Sequence, residues 1–393
     1  MNSIIALILF FILLSPFMGS LFQRKKPIVL TKISDIMALL DPPRSSITDL
    51  LLARARPNAR LVHAFGLKNT FVSADSVVRQ KFLTHTREML RRHSRQFATF
   101  PDVARGVVAG SALRLRSPPH QPSIPFAIFI QVVTLRIVVG SLLGGDIPKD
   151  SDEATVFVVE AINDLWTLSK KSRPPPATLL DNLNAHLRCW VPEQYERPLD
   201  FVIPAYETMW RVVAVTVARA IHDRGARAAF FAYLETPSQD QFVRVEDPQR
   251  QQPSVEAFMS EVLRLHPPSR SIARAAPSRL GVFQFPPWEP DTSLIADIGA
   301  LHQDTGIWGS DAGVFDPMRF KLHKSGLSFR QKQAFMPFSY GPLRCIAFKE
   351  APRFAAIVAA AVLEIVSAPD ASYRLVCGEE IGRREGWEGW MIL

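Results

Sequence analysis

The sequence predicts a mainly α-helical body with a small β portion, preceded by an N-terminal membrane-spanning helix. Three observations lead there. Residues 1–23 carry no charged side chain, apolar residues recur at helical spacing from residue 33 to residue 366, and only the stretch 275–334 is dominated by Pro, Asp and Gly. We therefore divide the chain into an anchor with a basic stop, residues 1–26, and one folded body, residues 27–393. A hydrophobic share of 47% and 31 prolines suit a large core joined by rigid turns.

The anchor reads MNSIIALILFFILLSPFMGSLF, long enough to cross about 30 Å of hydrocarbon at about 1.5 Å per residue. Arg24, Lys25 and Lys26 follow it, which by the positive-inside rule holds the body on the cytosolic side of the membrane. A cleaved leader would need positive charge before its apolar segment, and there is none. SDIMALL and SITDLLLARAR then predict the first helices, and VVRQKFLTHTREMLRRHSRQF a basic one that is either a solvated face or a docking surface. Ser123–Gly145 is apolar enough for a second span, but Gln131 and Arg136 lie within it, so a buried core helix is the better reading.

Residues 151–170 predict an amphipathic helix, and ATLLDNL another after a proline break. DFVIPAYETMWRVVAVTVARAIHD predicts a long helix bent at Pro204, with Glu207 and Thr208 close to the bend. In EVLRLHPP the charges of Glu261 and Arg264 share one helical face, a spacing that alone means little. From 275 to 334 we expect loops and short strands, and after Cys345 a final long helix, KEAPRFAAIVAAAVLEIV.

Charge and cysteine usage narrow the function. A net charge of +9 suits an anionic membrane or an acidic protein partner; no nucleic-acid-binding motif accompanies it. Three widely spaced cysteines, Cys189, Cys345 and Cys377, argue against a disulfide scaffold, and neither HExxH nor CxxC supports zinc. Cys345 stands between a Gly341-Pro342 turn and the last helix. A thiol there is either an inert core residue or a metal ligand whose pKa the helix end lowers.

Taken together, these motifs resemble the cytochrome P-450 family. FSYGPLRCIA is similar to its heme-binding loop FxxGxRxCxG at Phe338, Gly341 and Cys345; EVLR to its ExxR; FDPMRF to its xPxRF; ALHQDTGIWG to its HRDPxxWG; and PAYETM to its AGxET. The resemblance implies a P-450 fold of the fungal microsomal type, suggested by AYETMW and its short connection to EVLR. It implies heme b with Cys345 as the axial iron ligand, a network of Glu261, Arg264 and Arg319 behind the loop, and Arg274 at a heme propionate. Phe338, Gly341 and Arg344 belong to the cofactor site, and Glu207 and Thr208 match the acid–alcohol pair that delivers protons.

The implied activity is a membrane-anchored monooxygenase of the endoplasmic reticulum, acting on an apolar small molecule in specialised metabolism. Its electrons would come from NADPH–cytochrome P-450 reductase. A heme-thiolate isomerase or dehydratase and a noncatalytic binding protein remain alternatives. The chain also departs from the pattern. Leu343 stands where the loop arginine belongs, Ala347 replaces a glycine, and no WxxxR occurs around Val78–Phe82.

Overall fold

A computed structural model describes residues 26–116, 123–171, 176–245, 252–276, 293–320, 326–371 and 373–393. The expected span of residues 1–23 lies outside the described residues. The described part is mainly helical with two three-stranded sheets, as the sequence predicts.

In chain order, β1 (Ile28–Leu30) leads into α1 (Ile33–Leu40), α2 (Ile47–Phe65), α3 (Ser76–Arg95) and α4 (Phe100–Leu115). β2 (Ile124–Pro125) and α5 (Phe126–Ile137) follow, then α6 (Asp152–Leu168), α7 (Ala177–Trp190), α8 (Leu199–Ala220), α9 (Arg224–Glu235), α10 (Gln239–Val243) and α11 (Val255–Leu265). The remainder comprises β3 (Ser271–Ala275), β4 (Ser293–Asp297), α12 (Ile298–Leu301), α13 (Thr305–Trp308), α14 (Phe329–Ala334), α15 (Glu350–Ser367), β5 (Leu375–Val376) and β6 (Met391–Ile392).

The core forms where helices are apolar on every side. In α15 every residue from Phe354 to Leu363 is buried, and in α8 so is every residue from Val212 to Ala218, which places both in the centre of the body. They pack on each other, and α15 also packs on α4 and α9. Among the described residues α8 is the helix long and apolar enough to cross a bilayer, but 72% of its apolar window is buried within the protein. It is a core helix. So is α5, as expected: Arg136 is buried but bonds Asp152 at 2.7 Å and the Ile147 carbonyl at 3.1 Å.

α8 runs through Pro204 as one helix, the long helix with an internal proline that the sequence predicts. Proline cannot donate to the carbonyl four residues back, that of Asp200. Asn69 Nδ2 donates to that oxygen instead, at 2.8 Å, so the helix loses a bond to itself and gains one from outside. The stretch 275–334 departs from expectation, holding one described strand and several short helices. Two of the Asp residues that suggested loops act as helix caps, as does Ser328: Asp297, Asp304 and Ser328 each accept a backbone N–H of the turn that follows.

β4 is the centre of the first sheet, parallel to β1 (Val29 opposite Ile295) and antiparallel to β3 (Ala273 opposite Ile295). In the second sheet β6 pairs antiparallel with β2 and β5. A second apolar cluster, with Ile36, Leu40, Ala296, Trp308 and Met336, sits under the first sheet and the segment leading to Cys345.

Candidate functional site

The loop Phe335–Lys349 is shaped by its backbone. Ser339 and Gly341 take positive φ, 69° and 72°. A Cβ at Gly341 would lie 2.7 Å from Asp41 Cβ, so only glycine fits both the angle and the contact with the end of α1. The Cys345 amide donates to the Phe338 carbonyl at 3.0 Å and closes the loop, and Phe338 packs on the main core. Arg79 Nη2 of α3 donates to the Pro342 carbonyl at 3.2 Å, holding the loop from the other side.

Cys345 has an exposed face, while the atoms around its sulfur strip enough hydration to push the thiol pKa up. The Ala347 N–H and the Arg344 charge pull it down by less, and Glu350 pushes it further up. The sequence suggested the opposite sign. Loss of hydration outweighs the helix end, which begins only at Glu350, five positions on. Arg344 is exposed, its guanidinium 3.7 Å from the centre of the Phe348 ring.

Behind the loop lies a charged network free of water contact. Glu261 and Arg264 are both 0% exposed and pair through two bonds of 2.7 Å. Arg264 also donates to the carbonyls of His302 at 2.7 Å, Ala312 at 2.6 Å and Val314 at 3.2 Å. Glu261 Oε1 accepts the Asp316 N–H at 2.9 Å. Arg319 stands 3.8 Å from Glu261 and bonds mainly Asp311 and the Trp308 carbonyl, so it is the most loosely held of the three side chains.

His302 connects this network to the loop, a role the sequence did not reveal although the residue lies in ALHQDTGIWG. Its Nδ1 lies 3.0 Å from the Arg264 carbonyl, and its Nε2 accepts the Met336 N–H at 3.0 Å. The ring is therefore neutral with its proton on Nδ1, and burial lowers its pKa to about 4.

Glu207 and Thr208 diverge. Glu207 is buried, bonded to Arg384 and 3.3 Å from Arg211, while Thr208 is half-buried. Burial raises the Glu207 pKa, and the two arginine charges oppose that. Arg384 also donates to Asn163 at 3.2 Å and stacks on Trp166 at 4.7 Å, so the C-terminal segment reaches α8 and α6 at one point. Nothing in the local sequence around Arg384 signals this.

Arg274 on β3 is 6% exposed and bonds only the Ala273 carbonyl, at 2.9 Å; among the described residues it has no carboxylate partner. An uncompensated buried guanidinium, together with an accessible sulfur on the loop, fits a ligand that brings its own carboxylates and an iron. The donor set fits heme. Among the described residues no cluster of three or more His, Cys, Asp or Glu suits a metal held by protein alone.

Comparison with known proteins supports the same class. Residues 238–347, which hold the Glu261–Arg264 pair, Arg319 and Cys345, match the cytochrome P450 family model. The chain is similar to Cytochrome P450 734A5 of Oryza sativa subsp. japonica, 30% identical over 180 residues, which cover 44% of this chain and 32% of that protein. It is also similar to Cytochrome P450 CYP72A616 of Paris polyphylla, 39% identical over 95 residues (24% and 18% of the two chains), and to the cytokinin hydroxylase of Arabidopsis thaliana, 35% over 95 residues (24% and 17%). The chain thus spans about a third of the first of these relatives and less of the others. These relatives are plant proteins, so the comparisons do not support the fungal type that the AYETMW spacing suggested.

Proposed function

We propose that the chain is a heme-thiolate monooxygenase that inserts one oxygen atom into an apolar small molecule, with Cys345 as the axial iron ligand. The observation that carries this reading is the loop itself: one accessible cysteine on a backbone fixed by Phe338, Gly341 and Arg79, with the buried Glu261–Arg264 pair behind it. Heme b, when bound, would supply the oxidation, with two electrons and two protons reducing the second oxygen atom of O2 to water.

The protein's own part is placement and proton supply. Glu261, Arg264 and His302 hold the segment entering the loop at a fixed distance from α11. Cys345 must give up its proton to bind metal, because the thiolate is the ligand; Ala347 N–H and Arg344 favour that form against the burial that opposes it. Glu207 is the buried acid of the site, its pKa raised by burial against the pull of two arginine charges; Thr208, next along α8, offers a hydroxyl to pass a proton on.

Residues 1–26 anchor the body to the endoplasmic reticulum, with residues 27–393 in the cytosol. The exposed Arg87 and Arg91 of α3, with Arg344 and Lys349 of the loop, give the basic surface on which NADPH–cytochrome P-450 reductase would dock. A role in specialised metabolism accords with this reading. The name of one relative, cytokinin hydroxylase, accords with oxygen insertion.

The first test is the absorbance of the reduced, carbon monoxide-treated protein. A Soret band at the thiolate position is expected, and Cys345→Ala is expected to lose it. A wild type without the band, or a Cys345→Ala variant that keeps it, overturns the assignment. The engagement of Glu207 by two arginines favours a second reading, an isomerase or dehydratase that needs no oxygen. NADPH-dependent oxygen consumption with a reductase separates the two.

A further inference from the structure

Three arginines meet near the Cys345 loop without an acid among them. Arg54 of α2 is 7% exposed, donates Nη2 to the carbonyl of Thr70 and, at 2.6 Å, to its hydroxyl, and leaves Nε with no partner. Arg274 of β3 donates only to its neighbour's carbonyl, and Arg79 of α3 holds the Pro342 carbonyl of the loop. α2 packs on both β3 and α3, and the charges of Arg274 and Arg79 both reach Arg54. None of them forms an ion pair among the described residues.

Arg54 is also out of place in its helix. The buried side of α2 is Leu50, Leu51, Leu61, Ala64 and Phe65, and Arg54, one turn after Leu50, lies on that side. Burial, followed by the charges of Arg274 and Arg79, works against its charged form. Its neighbours are Thr70 and the face of Phe71, 5.1 Å away, and neither carries the negative charge that would offset burial; a leucine would fill this position without that cost. The loop offers the complementary defect, Leu343 where the resembled heme loops carry arginine.

We propose that Arg54, reaching in from α2, takes over the carboxylate contact that Leu343 cannot make, and that with Arg274 it binds the two propionates of the heme. Arg79 positions the loop beneath. This rests on the heme reading of Cys345, and it assigns a binding residue far in sequence from the loop it serves.

The test compares hemin with hemin dimethyl ester, in which both propionates are neutral, by absorbance titration of the full chain. Charge-assisted hydrogen bonds of this kind make wild type bind hemin about ten- to a hundredfold tighter than the ester. Arg54→Met is expected to lose most of that preference while binding the ester as wild type does. Arg54→Met/Leu343→Arg is expected to regain it, and Arg54→Lys to fall between. Equal binding of both porphyrins by wild type overturns the cradle without any variant. An unchanged preference in Arg54→Met and Arg54→Lys overturns the role of Arg54 while leaving the heme reading intact. A wild type that binds neither porphyrin sinks both.

Discussion

Replacing Glu261 with alanine tests the network behind the loop at its most enclosed point. The carboxylate is 0% exposed and its loss strands Arg264, also 0% exposed, with two bonds of 2.7 Å removed at once. Breaking one side of a buried pair costs roughly 3–5 kcal/mol, and the Asp316 N–H, left without its 2.9 Å acceptor, adds about 1 kcal/mol. The three carbonyls that still receive Arg264 keep the sum near the lower end, about 4 kcal/mol. That is a large part of the roughly 5–15 kcal/mol that holds a domain of ordinary stability.

Urea unfolding followed by circular dichroism reads the loss as a lowered midpoint, and hemin titration reads its effect on the loop. The variant is expected to be markedly less stable and to retain no heme. Glu261→Gln, which keeps an acceptor for Asp316 but not the charge, is expected to lie between. A Glu261→Ala protein within about 1 kcal/mol of wild type that still takes up hemin would refute the reasoning.

Two further outcomes follow from buried groups. His302 and His93 each have a folded pKa of about 4 against an ordinary 6.5, chiefly through burial. The unfolded chain therefore binds protons at pH values where the folded one does not. Stability is complete above pH 6.5 and falls as the pH drops toward 4, by about 3 kcal/mol for each ring. Urea midpoints measured across that range check the slope, and His93→Phe, which suits the ring's setting between Phe100 and Phe354, is expected to flatten it. Asn69→Ala removes the outside donor to Asp200 and is expected to cost about 1–3 kcal/mol in the same assay. Pro204→Ala restores the helix's own N–H, so it is expected to recover part of that loss in the Asn69→Ala background; additive losses would argue against the account.

Sequence exposes features that depend on neighbours along the chain. α15 was legible because its long, Ala-rich apolar run suits a buried helix, and Glu261 with Arg264 because one turn sets them side by side. Short elements that depend on distant partners were not. β1 is three residues long and exists because β4, some 260 positions later, pairs with it. The Asn69 bond to Asp200, the reach of Arg384 to Glu207 and the position of Arg54 beside Arg274 are products of packing. The Cys345 thiol shows the same limit: helix ends can be read locally, but hydration is lost to whatever the fold brings near. Arg54 did leave a trace, as a charge on an otherwise apolar helical stripe.

The imidazole of His302 gives with one edge and takes with the other. Aliphatic contacts in its place would let the two backbones slide against each other. A flat ring with a donor at one end and an acceptor at the other acts as a gauge block, its rigid width setting the gap between the Arg264 carbonyl and the Met336 amide. The neighbouring loop thus inherits its tolerance from the bond lengths of an aromatic ring.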